Sequence, residues 1–274
     1  MMTGDGDASS DDVQYHVELR EGDVEGPVLL PGAPDRVDVI ADCWDGYEER
    51  ASHREYRTLA GTHDGEPVTA TSTGIGSPSA AIAVEELARV GAETVIRVGS
   101  CGAIQTEAAV GDLVITTAAV RQEGTSDEYV RPDYPAAAHG EVVTALVTAA
   151  ERLDHDYHLG VTCSTDSFYA GQSREGFDGF RAAGADEQIA ELQEAGVMNF
   201  EMEASAILTL ADLYGLRAGA VCAVYANRVT GEFRTEGEAK AADTASLAAA
   251  ILARMDRRKA EADVDRWTAD MSLE

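Results

Sequence analysis

Thr94-Val95-Ile96-Arg97-Val98-Gly99-Ser100-Cys101-Gly102 is the stretch on which the fold turns. Thr94, Val95, Ile96 and Val98 are β-branched and the run ends at glycine, the pattern of a short strand buried on both faces. An arginine inside such a strand carries a large desolvation cost unless it is paired. In open α/β sheets ligands bind at the carboxyl ends of strands, and Arg97 stands near that end, just before a glycine turn. Two readings follow. The guanidinium fork holds an anion such as phosphate, or it is buried against one of the chain's 50 acidic residues.

The same grammar extends outward on both sides. Residues 28–30 form an apolar run into Pro31-Gly32-Ala33-Pro34, with a helix from about Asp35. Residues 67–72 read as a strand running into Thr73-Gly74-Ile75-Gly76. Ser77-Pro78 then supplies an N-cap and a first-turn proline, and Gly91 ends the helix. Strands at 113–120 and 158–163 flank a helix at about 140–153. Residues 202–214 read as a helix closing at Gly215, 217–224 as a strand and 238–258 as a long last helix. Strands alternating with helices, with glycine at the strand ends, give an α/β fold with a largely buried sheet. With no internal repeat and no linker, one domain spans 14–258. A flexible acidic tail at 1–13 precedes it, and a charged, peripheral extension at 259–274 follows. Residues 171–196 are the least regular and suit a flap over a site.

Charge sets the partners apart. There are 21 basic and 50 acidic residues, a net charge of −29, and the only lysines are Lys240 and Lys259. Such a chain repels phosphodiester backbones and anionic lipid, which argues against nucleic-acid and membrane-surface roles. A surface this acidic and this poor in lysine fits a very salty cytoplasm, where screening over ~3 Å at molar salt relieves self-repulsion. No run reaches the ~18 apolar residues of a membrane span, and the N-terminus lacks a signal-peptide pattern, so a cytoplasmic protein is expected. Cys43, Cys101, Cys163 and Cys222 are scattered, with no CxxC pair, and read as core residues.

Four clusters could carry chemistry. Gly32 allows close backbone approach, with Arg36 four residues on. Gly74 and Gly76 open a helix N-terminus, where free N–H groups attract anions. As a dinucleotide fingerprint, Gly74-x-Gly76-x-x-Ser79 fails at its third glycine. Glu201-Met202-Glu203 is read as the opening of a helix, which would leave at most one of the two carboxylates facing a shared site. Phe168-Tyr169-Ala170-Gly171-Gln172-Ser173-Arg174 joins an aromatic platform to an amide and a guanidinium. Together the last two can read a flat heterocycle with carbonyl and N–H edges.

RVGSCGAIQ (97–105) followed by VGDLVITTAAVR (110–121) resembles the central signature of the nucleoside phosphorylase-I superfamily. PGAPDR (31–36), ASHREY (51–56), STGIGSPSAAIAVEEL (72–87), DSFYAGQSR (166–174) and VMNFEMEASAILTLADLYGLRAG (197–219) look like its uridine phosphorylase family. The matches keep family order over about 14–258, and the FYxGQxR segment separates the uridine branch from the purine branch.

The resemblance implies a single domain with a central mixed sheet flanked by helices. It also implies reversible phosphorolysis of uridine to uracil and ribose 1-phosphate, a pentosyltransferase reaction of pyrimidine nucleoside salvage. Family phosphate ligands fall on Gly32, Arg36, Arg97 and Ser100, with Arg54 contributed by a neighbouring subunit. Base recognition falls on Gln172 and Arg174, with Phe168 stacking on the ring. Ribose contacts fall on Met202 and Glu203, and His16 would reach a neighbour's 5′-hydroxyl. Arg97, Glu203, Gln172 and Arg174 would carry catalysis. No cofactor is implied beyond phosphate as co-substrate, although a structural K+ or Na+ of some members maps to Glu55, Ile75 and Ser79. A homo-oligomer follows, a hexamer built as a trimer of dimers. Ala33, Ala170 and Ser100 depart from the common Asp, Pro and Thr, and Ala170 loosens the case for narrow uridine specificity. A broader nucleoside phosphorylase is the main alternative; a nucleosidase or a noncatalytic nucleoside-binding protein stands behind it.

Overall fold

The computed structural model describes residues 13–268 and 270–273; all but the last residue of the acidic tail read at 1–13 lies outside them. Strand β1 (Val28–Pro31) leads into the short helix α1 (Arg36–Ala41). Strands β2 (Gly46–His53), β3 (Tyr56–His63) and β4 (Glu66–Thr71) follow, then helix α2 (Ser77–Arg89). Strands β5 (Thr94–Ala103) and β6 (Leu113–Gln122) come next, then α3 (Thr125–Tyr129) and the two-residue β7 (Ala136–Ala137). Helix α4 (Gly140–Arg152) precedes β8 (Tyr157–Thr165), and α5 (Ala185–Glu194) precedes β9 (Val197–Glu201). Helix α6 (Ala204–Leu213), strand β10 (Arg217–Asn227) and helix α7 (Glu238–Ala262) complete the chain.

Strand β5 is the hub. It pairs parallel with β1 and β10 and antiparallel with β9. From β10 the ladder passes antiparallel to β6, parallel to β8 and parallel to β9, which closes a five-stranded circuit back onto β5. Closure removes edges that would otherwise need cover. From β1 the sheet continues outward through β4, β3 and β2. The result is one α/β domain with a mixed sheet flanked by helices.

Side chains alternate across a strand, so neighbours serve opposite cores. Leu29 and Ile96 pack with Leu146 of α4 and Leu252 of α7. Leu30 and Val95 pack with Val84 of α2 and Leu210 of α6. Both faces are buried, which is why these strands read as continuous apolar runs.

Several expectations are corrected. Gly99–Gly102 is not a turn, because β5 runs unbroken to Ala103. Gly99 serves space instead: a Cβ there would stand 2.9 Å from Arg97 Nη2 and 3.0 Å from Cys222 Sγ. The hairpin of β2 and β3 was not expected, because Glu48, Glu49 and Arg50 on exposed β2 hide its pattern. The helix expected from 202 begins at Ala204, and the preceding residues form β9. Gly76, with φ +95°, is the N-cap of α2, while the Ser77 hydroxyl donates to the Met202 carbonyl at 2.9 Å. The irregular stretch 171–196 contains α5.

The last helix continues one turn past Arg258 to Ala262. The segment beyond it is not merely peripheral: the Trp267 N–H donates to Glu141 at 3.0 Å, and Trp267 and Leu273 pack on the main core. All four cysteines are free, three of them buried. Among the described residues, no helix is long and apolar enough to cross a membrane.

Candidate functional site

Arg97 projects from the middle of β5 into a cluster that neither reading alone foresaw. Its Nε donates to Glu201 Oε2 at 3.1 Å, and its Nη2 is ion-paired with Glu203. Its Nη1 is buried with no hydrogen-bond partner. The guanidinium is thus buried in an ion pair and still has one nitrogen left over for an anion. The expectation that at most one carboxylate of Glu201-Met202-Glu203 faces the site is wrong. Glu201 is the last residue of β9 and Glu203 the N-cap of α6, so helical spacing does not apply between them.

The two carboxylates differ in their surroundings. Glu201 is fully engaged: Oε1 takes the Ser164 hydroxyl, and its oxygens accept the Glu203 and Ala204 N–H groups at 2.8–3.0 Å. The Glu203 Oε1 accepts the Gly76 N–H at 2.5 Å. Burial pushes the Glu203 carboxyl above its ordinary range, and Arg97 only partly offsets this. Burial works to lower the pKa of Arg97, but Glu203 and Glu201 outweigh it and hold the guanidinium firmly charged.

Beside this cluster lies a cavity of about 360 Å³. Its floor comes from late β5, with Ser100, Cys101 and Gly102; Gly32, Ala33 and Arg36 follow β1, and Tyr225 and Ala226 close β10. Arg36 is held by Glu238 at 2.6 Å and donates to the Tyr225 hydroxyl at 3.1 Å.

The opposite wall is the 168–174 loop. Gln172 is 2% exposed, whereas Phe168 is 48% exposed, with the Arg174 guanidinium 4.3 Å over its ring. Burial lowers the pKa of Arg174. The loop backbone is clamped by Arg228, which donates to the Gln172 carbonyl at 2.7 Å and to the Ser173 carbonyl at 3.3 Å. Burial and the neighbouring Arg174 lower the pKa of Arg228 as well. Met202, Ile75 and Phe233 complete the lining; the last two are 78% and 70% exposed.

Gly32, Arg36, Arg97, Ser100, Phe168, Gln172, Arg174, Met202 and Glu203 thus meet at one cavity. Arg54 and His16 do not line it. Arg54 is exposed at the β2–β3 turn, over the Tyr15 ring at 5.6 Å. His16 Nδ1 is paired with Glu86 Oε1 at 2.6 Å. Of the expected cation ligands, Ile75 is at the rim. A Cβ on Gly74 would stand 2.8 Å from Glu55 Cγ and 3.0 Å from Ser79 Oγ, so those two side chains meet beside it. The Ser79 hydroxyl also points to the Ile75 carbonyl at 3.3 Å. These are hard oxygen donors suited to an alkali cation, and among the described residues no three His, Cys, Asp or Glu side chains form a metal cluster.

Sequence reasoning missed Ser164 and Tyr225, gave Arg228 no role, and named Glu201 only as one of two carboxylates of which at most one would face the site. Val197-Met198-Asn199-Phe200 is apolar but for Asn199 and precedes Glu201; read as a strand, it would have moved the helix start past Glu203.

Comparison with known proteins shows the family of the chain. The model of the phosphorylase superfamily matches residues 28–255. The chain is 55% identical to a uridine phosphorylase of Thermococcus kodakarensis over 94% of each chain. It is 43% identical to a uridine phosphorylase of Escherichia coli, over 89% of this chain and 97% of the relative. It is also 44% identical to a guanosine phosphorylase of Halorubrum lacusprofundi, over 80% of this chain and 85% of that one.

Proposed function

Because the chain belongs to the phosphorylase superfamily, we propose that it cleaves uridine with inorganic phosphate, giving uracil and ribose 1-phosphate, and runs the reverse. The observation that carries this reading is the cavity itself. One wall holds a charged guanidinium with a free buried nitrogen, and the other holds the Gln172–Arg174 pair.

The chemistry follows from those groups. Arg97, with Ser100 and the backbone at Gly32, would hold the phosphate, and a phosphate oxygen forms the new bond to C1′ of the ribose as the C1′–N bond breaks. Both electrons of that bond leave on uracil, which takes a proton afterwards. Glu203 would bind ribose hydroxyls and favour the positive sugar of the transition state. Gln172 and Arg174 would stabilise charge growing on the departing base, and Phe168 would stack on it. Arg36 is close enough to join the phosphate site if it exchanges its Glu238 partner for the anion.

The test is product release from a nucleoside panel with and without phosphate, in molar salt. Uracil release without phosphate would make the chain a hydrolase, and none in either case would end the catalytic reading.

A second reading has one supporting observation, the guanosine phosphorylase relative. Guanine presents an N–H beside a carbonyl, as uracil does, so the Gln172–Arg174 pair could serve both; adenine lacks that edge.

The active unit is proposed as an even-numbered oligomer, a trimer of dimers. Exposed Arg54 and half-buried His16 support it, because both lie off their own cavity. A K+ or Na+ ion at Glu55, Ile75 and Ser79 belongs to the same proposal; replacing K+ and Na+ by a bulky organic cation at matched ionic strength should then lower the Tm. The proposed setting is a salty cytoplasm. With −29 net charge, dilution to ~50 mM salt should cost both stability and activity.

A further inference from the structure

We infer that Glu201 is a positioning residue for the phosphate site. By holding the Arg97 guanidinium through Nε, it keeps Nη1 aimed at the incoming anion. The inference deepens the phosphorolysis reading and rests on it.

Glu201 draws donors from three separate elements. They are the Ser164 hydroxyl at the end of β8, the Glu203 and Ala204 N–H groups at the start of α6, and Arg97 Nε on β5. With both oxygens engaged and the side chain 1% exposed, this carboxylate has no freedom to rotate. A guanidinium is planar, so a partner at Nε together with one at Nη2 fixes the plane and hence the direction of Nη1. That direction is toward Gly32: a Cβ there would be 3.9 Å from Nη1.

Glu203 cannot supply this alignment alone. It is the carboxylate placed for ribose hydroxyls, so its hold on Nη2 is drawn upon whenever a nucleoside binds. Glu201 is tied to protein donors throughout and keeps the arginine in plane while Glu203 changes partners. The strand, the helix start and the phosphate ligand are thereby locked to one another.

The test is Glu201→Gln, which keeps the shape and one acceptor but loses the charge. Phosphate KM should rise ~10-fold or more while nucleoside KM moves less than ~3-fold. The rise in Tm that inorganic phosphate gives the wild-type chain should also largely vanish. If the residue merely caps α6, the variant will melt lower without phosphate yet keep wild-type phosphate KM and the full phosphate-induced rise in Tm. That result overturns the inference, and so does a wild-type chain that phosphate does not stabilise.

If phosphate stabilises the wild type but no nucleoside is cleaved, the phosphorolysis reading falls, and the Tm comparison still decides the role of Glu201. Should Glu201→Gln not fold, Ser164→Ala decides instead. It removes one anchor of Glu201, so a smaller rise in phosphate KM with unchanged nucleoside KM supports the inference, and an unchanged phosphate KM defeats it.

Discussion

The two walls of the cavity are built on different terms. The Arg97–Glu201–Glu203 wall grows from β5, β9 and the start of α6, within the closed circuit of strands; all three side chains are buried. The 168–174 wall is a loop with Phe168 and Tyr169 about half exposed, tied down by two hydrogen bonds from Arg228 and by the Ser173 hydroxyl, which donates to Gln188 Oε1 at 2.7 Å. Charge that must be held in one geometry sits on strands and at a helix start, where desolvation strengthens each contact and Glu201 is tied to protein donors on every side. In the proposed reaction, selection among flat bases would fall to a loop, where sequence change is tolerated. The difference predicts that substitutions at the first wall abolish the reaction, whereas those at the second change what is accepted.

The largest effect should come from Arg97→Ala. Each charge-assisted hydrogen bond is worth ~1.5–3 kcal/mol, so losing two to phosphate should cut kcat/KM for phosphate ~10²–10⁴-fold. The substitution also strands two buried carboxylates, which should lower the Tm. Steady-state kinetics in phosphate and a melting curve check both. A folded Arg97→Ala with wild-type phosphate kinetics would remove the anion from the first wall altogether.

Next comes the pH profile governed by Glu203. Burial raises its pKa above the ordinary glutamate value of 4.5, so it takes up a proton sooner as pH falls. A neutral carboxyl neither holds Arg97 nor favours a positive sugar. Turnover should therefore drop on the acid side, beginning above pH 4.5, in a wild-type kcat profile. Glu203→Gln should lose kcat ~10²-fold or more and flatten that limb. An unchanged acid limb in the variant would assign the titration to another group.

Much of the fold was legible because it obeys local rules. The β5 run, the Gly32 turn and the 140–153 helix are each set by neighbours in sequence. What escaped was set by distance. The β2–β3 hairpin is amphipathic only once its exposed charges are known to face solvent, and closure of the circuit joins strands more than a hundred residues apart. At the site, Arg97 announced itself as a charge in an apolar run, whereas Glu201 was read within a helix opening, where it and Glu203 would point to different faces. Its role depends on β9 ending there, a tertiary fact. The role of Arg228 could not be read, because a side chain that clamps backbone carbonyls can be seen only when the loop is folded over it.

A smaller effect, confined to the second wall, is expected from Gln172→Ala. A site built to hydrogen-bond its ligand loses more than one methylene's worth of energy when a partner is removed, so uridine kcat/KM should fall ~10²-fold. Adenosine, which does not match the amide, should change little. Measuring both nucleosides on both proteins at saturating phosphate checks this. Equal losses would mean that Gln172 supports the whole cavity rather than reading the base.

The smallest effect, and the sharpest test of the contrast, is Arg228→Leu. Arg228 lies next to Gln172 and Arg174 through its contacts with the loop backbone, and its guanidinium holds the Gln172 and Ser173 carbonyls. Leucine fills part of the space but donates nothing, so two carbonyls lose their partners and Ser173, with φ +54°, loses part of what keeps it in the left-handed region. Each lost bond is worth ~1 kcal/mol net, which sets the expected rise in uridine KM at ~5–30-fold. A freer loop fits other bases better in relative terms, so the uridine-to-guanosine ratio should shrink. Phosphate KM should stay at its wild-type value, because no contact runs from Arg228 to Arg97, Glu201 or Glu203. Nucleoside panels at saturating phosphate, followed by a phosphate titration at saturating uridine, separate the two walls. If phosphate KM rises with uridine KM, the walls are mechanically one unit, and the division between a rigid charged end and an adaptable reading end is wrong.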